Sequence, residues 1–395
     1  MDPTAPPPPH TLRLHGEVIF VISVLSPNPR FSSSSSFYPI QFRSNFLQEP
    51  KFLCKSRFLI TQILDYRFDS TPLQLLKMEV KLRTASTLVS RLSSVSEQIR
   101  CDSLSELRLM TKNDAESRSL IAETGAIPYL AETLYSSSHA AQEDAAATLL
   151  NLSISSREAL MSTHGLLDAI SHVLGHHNSS SSAAAVQSCA ATLHSLLVVD
   201  DYRPIIGSKR DIIYSLVDIL KFRKSPQRSI KDALKALFGI ALYQPNRSTM
   251  VDLGVIPPLF SLVVVGSHAG IVEDASAVVA QVAGCEDSEL AFRRVSGLGV
   301  LVDLLDSGTG SSQRTKENAV SALLNLARWG GERAEEDIKD LGSGILSEIG
   351  DVAMNGSEKG KAKAVELLKL IASGDIDGNV FEDLQLDRLI NSCSE

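Results

Sequence analysis

The chain has 395 residues, of which 44% are hydrophobic but only 5% aromatic, and 38 Lys and Arg stand against 46 Asp and Glu for a formal charge of −8. That balance disfavours a continuous phosphate-binding surface, and so few aromatics leave little for an aromatic-lined pocket. Cys54, Cys101, Cys189, Cys285 and Cys393 contain no Cys-x-x-Cys, which reads as a reducing compartment without a zinc site.

Residues 1–77 form a regime of their own, with the proline run Pro6 to Pro9, the serine run Ser32 to Ser36, and eight basic against five acidic residues. Their apolar stretch from Val18 to Leu25 stops after eight residues, short of the ~18 that a membrane span needs. The segment has no repeat phase. It reads as a coding sequence assigned too far upstream of Met78, as an organelle transit peptide, or as a disordered regulatory arm. The rest of the chain holds 30 basic and 41 acidic residues.

From Thr84 to Leu109 the spacing of Leu88, Leu92, Val95, Ile99, Leu104 and Leu107 predicts amphipathic helix. A helix start then recurs at intervals of a little over forty residues. It reads Gly125-Ala126-Ile127-Pro128-Tyr129-Leu130, then Gly165-Leu166-Leu167-Asp168-Ala169-Ile170, and after a degenerate copy at Asp211 it returns as Gly254-Val255-Ile256-Pro257-Pro258-Leu259. Weaker copies follow at Gly297 and Gly342. Glycine ends one segment with a backbone that needs no Cβ clearance, and proline in the next first turn loses nothing by lacking an N–H. A second mark keeps the same phase: Ala146-Ala147-Thr148-Leu149-Leu150-Asn151-Leu152 is echoed at Ala190 to Leu196 and at Ser321 to Ala327.

A period in this range is the signature of an all-α solenoid of the armadillo or HEAT type, in which one unit buries its apolar face only by stacking on the next. The expected organisation is a leader over 1–77, a right-handed solenoid of six to seven repeats over 78–373, and an acidic tail over 374–395 with room for a short capping helix. Cys101, Cys189 and Cys285 fall in the apolar helical stretches, where buried structural thiols are expected.

The run Ser105-Glu106-Leu107-Arg108-Leu109-Met110-Thr111-Lys112, followed by Arg118-Ser119-Leu120-Ile121-Ala122-Glu123-Thr124-Gly125-Ala126-Ile127-Pro128, resembles the armadillo-repeat region of plant U-box ubiquitin ligases and of relatives that carry the repeats without a U-box. The resemblance covers about Met78 to Ser373. It implies three helices per unit, with the third lining a concave groove, and in ligating members a U-box ahead of the repeats. Residues 1–77 do not match the cysteine-proline-rich opening of that domain, so the chain is expected to have no ligase activity of its own. The implied role is a non-enzymatic scaffold for a protein partner. The alternative is an accessory or substrate-binding part of ubiquitin ligation acting with a U-box relative.

Aligned on its own repeats, the third-helix position of Asn151 and Asn325 is taken in turn by Arg108, Asn151, Ser195, Gly239, Gln281, Asn325 and Lys369, at steps of 42 to 44 residues. Stacked helices ~8–10 Å apart make this a row of ~50–60 Å, and an extended peptide advancing ~3.3 Å per residue would pass about three residues per rung. Asparagine suits such a rung, because its amide both donates and accepts. One turn earlier, where import adaptors of the importin alpha type carry tryptophans, stand Ala147, Ala191, Lys235, Ala277, Ser321 and Val365, which argues against reading basic import signals. Trp329 lies four residues after Asn325 on the same helical face. It reads as a peptide anchor beside that amide, or as a ring packed under the Gly330-Gly331 corner.

Between second and third helices run Ser/Gly-rich loops on one edge, and the stretch Lys221 to Lys231 holds Lys221, Arg223, Lys224, Arg228 and Lys231 with no acid. It reads as a docking loop for an acidic partner or as a solvated loop, with Ser225 before Pro226 as a candidate phosphorylation site. Signals for catalysis are poor. Gly356 to Ala362 has one residue too few between its glycines for a phosphate loop and ends in Ala362 where Ser or Thr should hold magnesium. His172, His176 and His177 lack a visible third ligand. The expectation is therefore no catalytic residue, no metal, no cofactor, no nucleic acid and no membrane span, in a monomer of the cytoplasm and nucleus, or of the plastid if the leader is a transit peptide.

Overall fold

In a computed structural model of the chain, the described residues are 71–372 apart from 267, 330, 331 and 341–344. The acidic tail at 374–395 and the Gly342 corner therefore lie outside the described residues, as does the leader up to residue 70. Every regular element described is helical.

Helix α1 (Thr71–Leu92) begins seven residues before Met78 and runs through it. Ser96 then caps α2 (Glu97–Asn113) by accepting the Ile99 N–H. The pattern from Thr84 to Leu109 is thus two helices with a break at residues 93–96, and Val95, expected on the apolar face, is fully exposed in that break. Six three-helix units follow. They are α3 (Ala115–Glu123), α4 (Ala126–Thr133) and α5 (His139–Ser155), then α6 (Arg157–Ser162), α7 (Leu166–Gly175) and α8 (Ala183–Leu196), then α9 (Tyr202–Gly207), α10 (Arg210–Lys221) and α11 (Gln227–Ala241). The last three are α12 (Asn246–Asp252), α13 (Ile256–Val265) and α14 (Ala269–Val282), α15 (Glu289–Arg294), α16 (Gly297–Leu305) and α17 (Gln313–Trp329), and α18 (Glu332–Lys339), α19 (Leu346–Asn355) and α20 (Glu358–Ala372).

The corner before each second helix follows the sequence rule where glycine is present: Gly125, Gly165 and Gly254 take φ of 80°, 81° and 74°. The fifth corner departs from it. There Ser296 adopts the left-handed conformation at φ 53°, and Gly297 is already the first residue of α16. A Cβ on Gly297 would lie 2.9 Å from Phe260 Cζ, so that glycine answers to packing against α13 rather than to the turn.

The Ser-rich loops have a structural use. Ser96, Ser138, Ser182, Ser312 and Ser357 each accept an N–H in the first turn of a third helix. Three of them also clip one unit to the previous one: Ser182 Oγ donates to Glu143, Ser312 Oγ to Glu273 at 2.7 Å, and Ser357 Oγ to Glu317 at 2.8 Å. Gln142 adds a buried clip, donating to Leu134 O and accepting from Ser182 N.

Third helices α2, α5, α8, α11, α14, α17 and α20 pack each on the next, and the second helices stack beside them. Leu149, Leu193, Leu237, Val279, Leu323 and Leu367 repeat in phase and are all buried between these layers. Each contributes about 1.5–3 kcal/mol of burial. Among the described residues no single helix is long and apolar enough to cross a membrane, and the apolar pair α12–α13 bends by 76° at its junction.

Of the three cysteines expected to be buried in helices, Cys189 is, and burial pushes its thiol up to about 12. Cys101 is half-buried on α2. Cys285 instead lies half-buried in the turn after α14, beside Asp287. Helix α14 ends at Val282, three residues before Cys285.

Candidate functional site

The seven aligned third-helix positions do form one row, each on the helix assigned to it, and most spend part of their polarity on the neighbouring rung. Asn151 Nδ2 donates to Thr111 Oγ1 at 3.1 Å, Ser195 Oγ to Ser153 O at 3.0 Å, and Asn325 Nδ2 to Ala280 O at 2.7 Å. Arg108 pairs with Asp144 of α5 at 2.7 Å. Gln281 Oε1 accepts from Arg247 at 3.0 Å. Gly239 is buried because α8 comes too close for a side chain, a Cβ there lying 2.8 Å from Leu197 Cβ. Lys369 is exposed on α20.

Each asparagine therefore keeps its carbonyl and one N–H for a partner after stapling two helices. Trp329, the last residue of α17, is 46% exposed.

Two sets of residues on or just beyond these helices escaped the sequence reading as sets, Trp329 alone having been singled out. The first is a half-buried polar cluster at the centre of the row: His194 on α8, Asp232 and Lys235 on α11, and Asp274 on α14. Burial holds the Asp232 and Asp274 carboxyls above their usual range and the His194 imidazole below its own. Lys235 Nζ stands 4.0 Å from Asp232 Oδ1. The second set is a row of apolar side chains three or four residues beyond the polar positions: Ile154, Val198, Leu242, Tyr243 and Trp329, all between 38% and 58% exposed. Its signal was in the sequence, since Ile154, Val198 and Leu242 recur at steps of 44.

The basic run does not form one loop. Lys221 ends α10, Arg223 and Lys224 are exposed in the turn, and Arg228 and Lys231 already belong to α11. Ser225 is half-buried, its Oγ donating to Ile219 O at 2.8 Å. The His172 and His176 rings lie tilted against each other with centroids 4.3 Å apart, while His177 packs edge-on against Phe222 and sits 3.6 Å from Asp218. Among the described residues no group of three His, Cys, Asp or Glu converges as a metal site. The arrangement offers hydrogen bonds, an aromatic face and apolar contacts along stacked helices.

The family model of the plant U-box protein ARM repeat region matches residues 85–380. The chain belongs to this family. It is 30% identical over 285 residues to U-box domain-containing protein 16 of Arabidopsis thaliana, covering 70% of this chain and 40% of that protein. With U-box domain-containing protein 1 of Medicago truncatula it shares 33% over 290 residues, covering 73% of this chain and 40% of the other. The chain thus spans about 40% of the length of these relatives, and the shared part is the armadillo region.

Among solved structures, an engineered protein superposes with a TM-score of 0.63 at 22% identity, over 78% of this chain and 71% of that one. A chain from a structure of the phosphorylation-controlled interaction between cadherin and beta-catenin gives 0.61 at 14%, over 80% and 60%. These likenesses agree with a solenoid of stacked helical repeats.

Proposed function

We propose that this chain is a non-enzymatic adaptor that holds a partner protein along the concave side of its third-helix layer, with Asn151, Gln281, Asn325 and Trp329 as the principal contacts. The observation that carries the reading is the exposed Trp329 ring on the face that also bears Asn325, in a register kept by seven stacked helices. An aromatic anchor beside unspent amide groups is the pattern by which an interface concentrates its energy. Arg108 and Lys369 extend the row at its two ends, and Ser195 contributes its hydroxyl oxygen as an acceptor.

Asn325 also staples α17 to Ala280 O, so Trp329→Ala is the cleaner test and Asn325→Ala needs a stability control. With a partner first identified by proximity labelling, Trp329→Ala should weaken capture by about tenfold or more, the loss expected for a true anchor. Substituting Ser179 and Ser180 on the loop edge should change nothing. Undiminished capture by Trp329→Ala would remove the reading.

The relatives' U-box names favour a second reading, in which the partner is a component of ubiquitin ligation. An in vitro ubiquitination assay with an added U-box ligase separates the two: chain formation that this protein stimulates favours the second reading, and an unchanged rate favours the first. The proposed compartments are cytoplasm and nucleus, tested by a C-terminal fluorescent fusion in which an exclusively plastid signal would exclude them.

A further inference from the structure

The apolar row at the ends of the third helices has cations set beside it. Arg157 Nε donates to Ser195 O at 2.9 Å, and Arg247 donates to Ala241 O, Gly284 O and Gln281 Oε1 at 2.8, 3.3 and 3.0 Å. Both guanidinium groups are thereby fixed at helix ends by carbonyl oxygens. Among the described residues neither has a carboxylate partner, while the nearby Asp200 is taken by Arg203 and Asp287 by Ser248. The row therefore offers exposed apolar side chains at Ile154, Val198, Leu242, Tyr243 and Trp329 together with two uncompensated positive charges.

We propose that this row is the docking surface for the chain's own C-terminal segment, residues 373–395. The segment leaves α20 after Ala372, three residues beyond Lys369, and so emerges at the end of the row itself. Its composition complements what it would cover: six acidic residues against Arg388 alone, with Ile376, Val380, Phe381, Leu384, Leu386 and Leu389 distributed among them. Its reach is sufficient. The 18 residues from Ser373 to Ile390 extend ~60 Å, whereas the five helix steps from α20 back to α5 span ~40–50 Å. Tethering favours the contact further, because a short linker holds the segment at an effective concentration of order mM.

Trp329 is the only tryptophan of the chain, so tryptophan-selective emission reports the α17 end of this row alone. The test compares the full chain with its Phe381→Asp/Leu384→Asp variant and with a chain ended after Ala372. The expected result is a red-shifted Trp329 emission and severalfold stronger acrylamide quenching in both altered chains, with helical circular dichroism unchanged. A synthetic peptide of residues 373–395 added to the shortened chain should reverse both changes. Shielding in the full chain should persist on dilution, as an intramolecular contact requires. Equal emission and quenching in all three chains would overturn the proposal. So would shielding that disappears on dilution, which assigns the occupant to a second copy, or shielding of the full chain that the double variant leaves intact.

Discussion

The substitution Gly239→Ala tests the close approach of α8 and α11 in the middle of the row. In an open helix, replacing glycine by alanine gains about 1 kcal/mol of helix propensity. At Gly239 the new Cβ would lie 2.8 Å from Leu197 Cβ and 3.2 Å from its Cδ1. Leu197 is itself buried, so its side chain has no solvent to swing into. Overpacking of a well-filled core costs ~1–3 kcal/mol, and the sum leaves Gly239→Ala between neutral and ~2 kcal/mol destabilised. Gly299, exposed on α16 with nothing within 4 Å of its Cβ position, is the matched control and should be stabilised by up to ~1 kcal/mol. Urea unfolding followed by helical circular dichroism measures both, with the two midpoints expected to move apart in the order Gly299→Ala above Gly239→Ala. If Gly239→Ala stabilises as much as Gly299→Ala, the third helices do not approach as described.

The Lys81 hydrogen bond, followed by that from Ser117, lowers the Asp114 carboxyl to about 2, below an unfolded value of about 3.9. Its contribution to stability is therefore complete above pH ~4 and is lost as pH falls toward ~2. The urea midpoint of Asp114→Asn should lie below that of the wild type at pH 5 and converge with it near pH 2. A gap that stays constant across this window would show that the ion pair is not the cause. Glu317→Ala removes the acceptor for both Ser357 N and Ser357 Oγ; amide exchange should rise in α20 and not in α5, and a uniform rise would contradict the unit-by-unit stacking. Cys189, buried with its thiol raised to about 12, should resist alkylation at neutral pH while half-buried Cys101 and Cys285 react, as read by peptide mass spectrometry. Equal labelling of the three would mean that α8 opens readily.

The repeat architecture was legible because Gly125, Gly165 and Gly254 sit where the backbone turns left-handed, and the leucines of the third helices recur in the same phase. The fifth corner was shifted in the reading, since the left-handed residue there is Ser296, a type with no strong preference for that region. Val95 was read as core because its spacing fits a helix; only the Ser96 cap, which ends the register, exposes it. The phase of the polar row followed from counting, but the stapling of Asn151 to Thr111 and of Asn325 to Ala280 depends on interhelix distances that no single sequence contains. Conversely, Ile154, Val198 and Leu242 recur at steps of 44, but an apolar residue near a helix end reads equally well as core, so spacing alone does not mark these three as exposed. The Lys221 to Lys231 run misled in a third way, as charge composition alone does not show where α10 ends and α11 begins.

The central claim, that partners are held on the third-helix side, is tested most directly by site-specific photo-crosslinking in plant cells. A photoreactive amino acid placed at Trp329 or Ile154 reports the third-helix ends, and one at Tyr214, 54% exposed on second helix α10, reports the other layer. In a chain ended after Ala372, which leaves the row uncovered, the account predicts covalent adducts to a partner protein from positions 329 and 154 and none from 214. Adducts confined to 214, or equal from all three positions, would contradict it.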